Sequence, residues 1–171
     1  FKDAGGAASL VFERESFDKA AGNLVAWVKV PIVSGTANTD FFLYYGDNNA
    51  IDMSNAAGTW DANFATVWHL DEVPTAAQLD STSPANNSTG YGSGITNADS
   101  VAGVIGQGIN IGATATEYIN FGNVNDPPGV YSGAVLTLSA WVKMNALAGN
   151  NAIVSKGTTT GYNWMLAGGP V

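Results

Sequence analysis

The side chains whose types and spacing invite chemistry lie on two short stretches: Glu13 and Glu15 around Arg14, and His69, Asp71 and Glu72. Glycoside hydrolysis needs two carboxylates flanking the scissile bond, about 5–5.5 Å apart when configuration is retained. Residues two apart on a strand face the same way, so Glu13 and Glu15 share a face. A cation stands between them rather than a third acid, and the spacing reads as a solvated strand face. Asp71 and Glu72 are adjacent, so in an extended chain they point to opposite faces. His69 is the single histidine. A Ser-His-Asp triad or a His-rich zinc site would have to be built around it alone. Gly-x-Ser-x-Gly and His-x-x-x-His are both absent. Gly103, Gly106 and Gly108 have the wrong order for a dinucleotide fingerprint. His69 is expected as a strand histidine, satisfied or half-exposed, and the chain as a non-enzyme.

Ligand binding without catalysis fits the residues better. A pyranose face is apolar and rimmed by hydroxyls, so aromatic rings in open loops can stack on it. Tyr91 and Tyr131 sit among glycine and serine and are the candidates; Tyr118, Tyr162 and Trp164 read as core aromatics. Asn86-Asn87-Ser88 and Asn87-Ser88-Thr89 have the form of glycosylation acceptors, or are loop polarity.

Composition narrows the partners. Six Lys and Arg stand against fourteen Asp and Glu, a formal charge of −8, with no basic cluster. A nucleic-acid backbone is therefore excluded as a partner. The absence of cysteine removes disulfides and thiolate chemistry. It also agrees with an extracellular, cell-surface or periplasmic protein of a bacterium. No apolar run reaches the roughly 18 residues of a membrane helix. At 46% hydrophobic and 12% charged, with 21 glycines, the chain predicts short strands joined by turns.

Those strands must position the residues above. The alternation predicts strands at Ser9 to Phe17, Asn23 to Val30 and Phe41 to Tyr45, the last ended by a Gly46-Asp47-Asn48-Asn49 turn. Residues 47–63 read as a linker, with a short helix within Ala50 to Ala57 and with Trp60 and Phe64 pinning it to a neighbouring surface. Further strands are expected at Ala65 to Leu70, Gly106 to Ile111, Glu117 to Phe121, Val135 to Met144, Ala152 to Ser155 and Tyr162 to Ala167. Val73 to Asp99 is expected to be irregular. Ala26-Trp27-Val28-Lys29 and Ala140-Trp141-Val142-Lys143 echo one another. Each predicts a strand with its Trp in the core and its Lys reaching solvent. The abrupt opening at Phe1-Lys2-Asp3 and the stop at Gly168-Gly169-Pro170-Val171 suggest a piece of a larger protein.

Phe1-Lys2-Asp3, Phe12-Glu13-Arg14-Glu15-Ser16, Trp27-Val28-Lys29-Val30-Pro31 and Leu43-Tyr44-Tyr45-Gly46 resemble the bacterial domain-of-unknown-function family 2341. The resemblance implies that residues 1–46 are the C-terminal part of such a domain, a small β-sandwich-like segment. A second series follows: Val67 to Glu72, Asp80-Ser81-Thr82, Gly103 to Ile109, Tyr118 to Phe121, Leu138 to Lys143 and Ile153 to Gly157. It resembles the laminin-G-like branch of the concanavalin A-like lectin/glucanase superfamily. That resemblance implies an all-β fold, with an antiparallel jelly-roll sandwich over residues 64–171 that continues beyond Val171. The Glu-x-Asp-x-Glu strand of the superfamily's glucanases is absent.

Domains of this superfamily often carry a calcium ion, which takes about six to eight oxygens. The matching loop offers Asp71 and Asp80 as metal ligands, with turn and cap roles as the alternative. The resemblance implies a non-catalytic module of a bacterial surface or envelope protein that binds carbohydrate or protein, as in adhesion. The alternative is a spacer or assembly module of a large envelope protein, of the pilus-biogenesis or proton-channel motor kind.

Overall fold

The computed structural model describes residues 1–83, 85–112, 114–122, 136–145, 151–158 and 161–168. The strands are β1 (Lys2–Asp3), β2 (Phe12–Asp18), β3 (Asn23–Val28), β4 (Phe41–Phe42), β5 (Gly90–Tyr91), β6 (Ser100–Ala102), β7 (Gln107–Ile109), β8 (Ile119–Asn120), β9 (Asn151–Thr158) and β10 (Gly161–Gly168). One helical turn, α1 (Ala56–Thr59), and a 3-10 turn at Asn97–Asp99 are the helical elements among the described residues. The protein is thus β-rich, as its composition predicts. The described strands pair as five two-stranded antiparallel sheets: β1 with β4, β2 with β3, β5 with β8, β6 with β7 and β9 with β10. None of the described helices is long and apolar enough to cross a membrane.

Phe1–Val124 forms one compact unit and Asn125–Val171 another. The first is organised by the β2–β3 hairpin. Asp18 closes its turn, the carboxylate accepting the amides of Ala20 and Ala21 at 2.9 and 3.1 Å. Gly22 follows at φ +71°, a left-handed conformation that a glycine adopts without strain. The register runs from Phe12 opposite Val28 to Asp18 opposite Asn23, with a bulge between Arg14 and Ser16 that re-aims Glu15.

Residues 47–63, expected as a linker, lie along β2. Asn55 donates its amide to the Phe12 carbonyl at 2.8 Å, and the Arg14 amide donates to Ser54 Oγ at 2.8 Å. The helical turn falls at Ala56–Thr59, with the Asn55 side chain accepting from the Gly58 amide at 2.9 Å as its N-cap. The turn expected at Gly46 is present: Gly46 has φ +95°, and Asp47 Oδ1 accepts the Asn49 amide at 2.8 Å.

Residues 65–70 differ from expectation. They make an isolated bridge, Trp68 to Asp80, rather than a strand. The reason is local: Leu70 takes φ 60°, which turns the chain out of the extended conformation at the residue after His69. Trp68 stacks on Phe121 at 3.8 Å and donates its indole N–H to the Asn86 carbonyl at 2.9 Å.

Apolar burial is sparse. Leu10 and Ile95 are the buried hydrophobic residues among those described, whereas Glu13, Thr59, Gln78, Asp80 and Thr82 are buried polar ones. Phe41, Phe42, Leu43, Tyr44 and Tyr45 are all exposed, Tyr45 at 91%.

In the second unit β9 and β10 pair from Asn151 opposite Gly168 to Thr158 opposite Gly161, with register shifts at Tyr162/Trp164 and Leu166/Ala167. The predicted strand at Val135 to Met144 is corrected over its described part. Residues 136–144 carry no strand, and Trp141, expected in a core, is 75% exposed. A strand buries its face only against partners, and no described strand pairs with this segment.

Candidate functional site

The polar interior of the first unit centres on His69. Its ring enters between the two carboxylates of β2, with Nε2 3.1 Å from Glu13 Oε2 and Nδ1 3.5 Å from Glu15 Oε2. The Glu13 and Glu15 side chains are 10% and 2% exposed, which corrects the solvated strand face expected from their spacing. Burial of two carboxylates is costly unless donors surround them. Trp60 Nε1 donates to Glu13 Oε2 at 2.7 Å, Ser81 Oγ donates to Glu13 Oε1 at 2.5 Å, and Trp27 Nε1 donates to Glu15 Oε2 at 2.7 Å.

Secondary structure explains why these groups meet. Glu13 lies directly opposite Trp27 in the hairpin register, and the bulge keeps Glu15 beside it. Trp60 follows the single turn α1, which packs on β2. The indole of Trp27 stacks on His69 at 5.3 Å and 21°, and Trp60 lies 5.4 Å from Trp27 with Phe64 edge-on behind it at 5.0 Å. Gly106, at φ +56°, covers the remaining oxygen of Glu15: a Cβ there would lie 2.0 Å from Oε1.

Electrostatics follows from this arrangement. Burial works to raise the Glu13 pKa, but the hydrogen bonds from His69, Ser81 and Trp60 and the imidazole charge outweigh it, and the net shift is down. For His69 burial works downward, while the hydrogen bond to Glu13 and the charges of Glu13, Glu15 and Asp71 win and raise it. Glu72 is raised, by burial first and by its neighbour Asp71 second, and its Oε2 has no partner. Glu13, Glu15, His69, Asp71, Glu72 and Ser81 are among the residues lining a cavity of about 210 Å³.

Of the residues singled out for binding, Asp71 and Asp80 border this cavity. Asp80 anchors the neighbouring loop. Its Oδ1 accepts the amides of Val67 and Thr82 at 2.9 and 3.0 Å, and its Oδ2 accepts Thr82 Oγ1 and the Asn86 amide at 2.8 and 2.7 Å. Four donors fill both oxygens and present their positive ends where a cation would sit, so this donor set does not suit calcium. Among the described residues no group of three or more His, Cys, Asp or Glu is placed to hold a metal ion. Tyr91 lies on β5, paired with Ile119 and 43% exposed. Tyr131 lies outside the described residues.

The buried cluster was therefore visible in sequence as residue types but not as a cluster. Its one local signal is the Glu-x-Glu spacing on β2, since His69 and Ser81 join Glu13 across 56 and 68 residues.

The family model for Domain of unknown function (DUF2341) matches residues 1–86. This match includes every residue of the cluster except Gly106, and it runs through 47–63 to take in Val67 to Glu72 and Asp80 to Thr82. No curated protein matches the chain, and no solved structure does. With half of its 171 residues matched, the chain belongs to the DUF2341 family.

Proposed function

We propose that the chain is a non-catalytic binding module of a bacterial surface or envelope protein, taking carbohydrate or protein through exposed aromatic side chains. The observation that carries this reading is the run Phe41 to Tyr45, exposed along its whole length, with Tyr44 at 67% and Tyr45 at 91%. Apolar surface left in water is costly, and aromatic rings in it suit the apolar face of a sugar or an apolar protein surface. Tyr91 adds a further exposed ring. The non-catalytic part is supported by the closure of the buried cluster. Glu13 gives both oxygens to an indole, a serine and the imidazole, and Glu15 gives Oε2 to a second indole while Gly106 covers its Oε1, which favours a structural role for the pair.

The lectin-like sandwich over 64–171, with its location outside the cytoplasm, is part of the same proposal and rests on the sequence resemblance. A glycan array probed with the full chain and with Tyr45→Ala tests it. Sugar binding that the substitution weakens supports the reading, and no binding to any sugar removes the carbohydrate arm.

A second reading, an assembly module, is favoured by a different observation. Every described sheet has two strands, so its strands have no described strand on their outer edges, although β1 also bridges Ser9 and β2 is lined by Ser54 and Asn55. Such edges accept added strands from another chain. Capture of an envelope protein without dependence on sugar would favour this reading over the first.

A further inference from the structure

We infer that His69 is a protonation-operated latch: charged, it pins the 67–81 segment to β2 through Glu13 and Glu15, and neutral, it releases that segment. Both ring nitrogens face carboxylate oxygens, at 3.1 and 3.5 Å. A neutral imidazole has one N–H and one lone pair, so whichever tautomer forms, one nitrogen turns a lone pair toward a carboxylate. The imidazolium alone satisfies both sides.

The surroundings make the proton decisive. Glu13 and Glu15 face the ring from β2, Asp71 and Glu72 lie just after it in its own segment, and Asp80 and Ser81 line the same cavity. Arg14 is the one Lys or Arg in that lining, and its guanidinium is already 2.6 Å from Asp52. Loss of the proton therefore leaves the carboxylates around the cavity without a replacement cation. The two halves also differ in how they are held. Trp27 and Trp60 keep their hydrogen bonds to Glu15 and Glu13 whatever the state of the ring, so the β2 side stays in place. The 67–81 side meets β2 through His69 and Ser81, while Trp68 holds it independently to Asn86 and Phe121. Release at β2 can thus leave the rest of the segment folded.

The signs define a window. The folded pKa of His69 is raised above 6.5, so its contribution is complete below 6.5 and is lost as pH rises through the folded value. The folded pKa of Glu13 is lowered below 4.5, so its contribution is complete above 4.5 and is lost as pH falls through the folded value. The latch is closed between these limits.

Because His69 is the only histidine, one imidazole proton resonance of the full chain reports its titration without any variant. The experiment follows that resonance and the indole N–H resonances of Trp27 and Trp60 from pH 5 to pH 10. In parallel it measures proteolytic cleavage within 67–81, normalised to an unstructured substrate. The expected histidine midpoint lies above 6.5, with both indole signals moving at the same midpoint. Cleavage should rise across it by about tenfold for each unit by which the midpoint exceeds 6.5. Glu15→Gln, which keeps an acceptor for Trp27 but removes a charge, should lower both midpoints together. A histidine midpoint at or below 6.5, cleavage that stays flat across the midpoint, or a midpoint unmoved by Glu15→Gln would each overturn the latch.

Discussion

The same four residues, Ala-Trp-Val-Lys, occur at 26–29 and at 140–143, and they meet opposite fates. Trp27 sits on β3, half-buried, with its indole N–H on Glu15, its ring on His69, and Lys29 reaching the Gly58 carbonyl at 3.5 Å. Trp141 belongs to no strand and is 75% exposed. Local propensity is identical in the two places, so it cannot be the cause. What differs is the partner. β2 supplies Trp27 with a cross-strand neighbour and a buried acceptor, and no described strand supplies Trp141 with either. Strand propensity is largely a statement about fitting a half-buried surface, and it has no force where that surface is missing.

Truncating the two indoles should separate them sharply. Trp27→Ala removes the ring stacked on His69 and leaves Glu15 short of a donor while still buried. A cost of about 3 kcal/mol is expected, near the low end for a large aromatic. Trp141→Ala should stay within about 0.5 kcal/mol, as for a surface position. Urea unfolding of the full chain measures both. Equal costs would mean that Trp141 has a packing partner as strong as that of Trp27, and the contrast between the two tetrapeptides would fall.

Much of the first unit could be read from its residues, and the limits of that reading have physical causes. The Asp18–Gly22 turn and the Gly46–Asp47 turn are local, each decided by one carboxylate and one glycine; sequence placed the second outright and the first only as the gap between two expected strands. The strands that pair as β2 and β3 were also visible, because alternation is short-range, whereas their register was not read from the sequence. Glu13 and Glu15 were read as solvated because an isolated strand shows spacing without showing what covers it. The cover comes from His69, Trp60, Ser81 and Gly106, from 45 residues away or more in the chain. Leu70 shows a different limit: nothing about a leucine after a histidine announces φ 60°. That conformation turns the chain at the end of the strand expected over Ala65 to Leu70, where the structure has the isolated Trp68–Asp80 bridge.

Gly106 offers a finer probe of the same region. Its φ of +56° is one that an L-residue adopts at a cost of order 1 kcal/mol, and its α-hydrogen position faces Glu15 Oε1. In Gly106→Ala the methyl would displace Oε1 of a carboxylate whose other oxygen, Oε2, is held by Trp27 and His69. The expected loss is about 1–2 kcal/mol, smaller than for Trp27→Ala because the loop carrying residue 106 can shift. Thermal melts at pH 6 measure it. A loss no greater than that of alanine at Gly22, which has the same sign of φ but nothing within 4 Å, would show that contact with Glu15 contributes nothing.

The smallest effect concerns calcium, and it separates the His69 cluster from the loop beside it. A ligand that binds the folded state alone adds about 2.7 kcal/mol at a hundredfold excess over its dissociation constant, so even a weak site is visible at millimolar calcium. Asp80 gives both oxygens to the amides of Val67, Thr82 and Asn86 and to the Thr82 hydroxyl, and a cation would have to break those bonds before gaining its own. Thermal midpoints of the full chain with excess chelator and with millimolar calcium should therefore coincide. Asp80→Asn should lower both equally, since it weakens a loop anchor that no ion supports. A calcium-dependent rise that Asp80→Asn abolishes would mean that the carboxylate turns from the loop amides toward a metal.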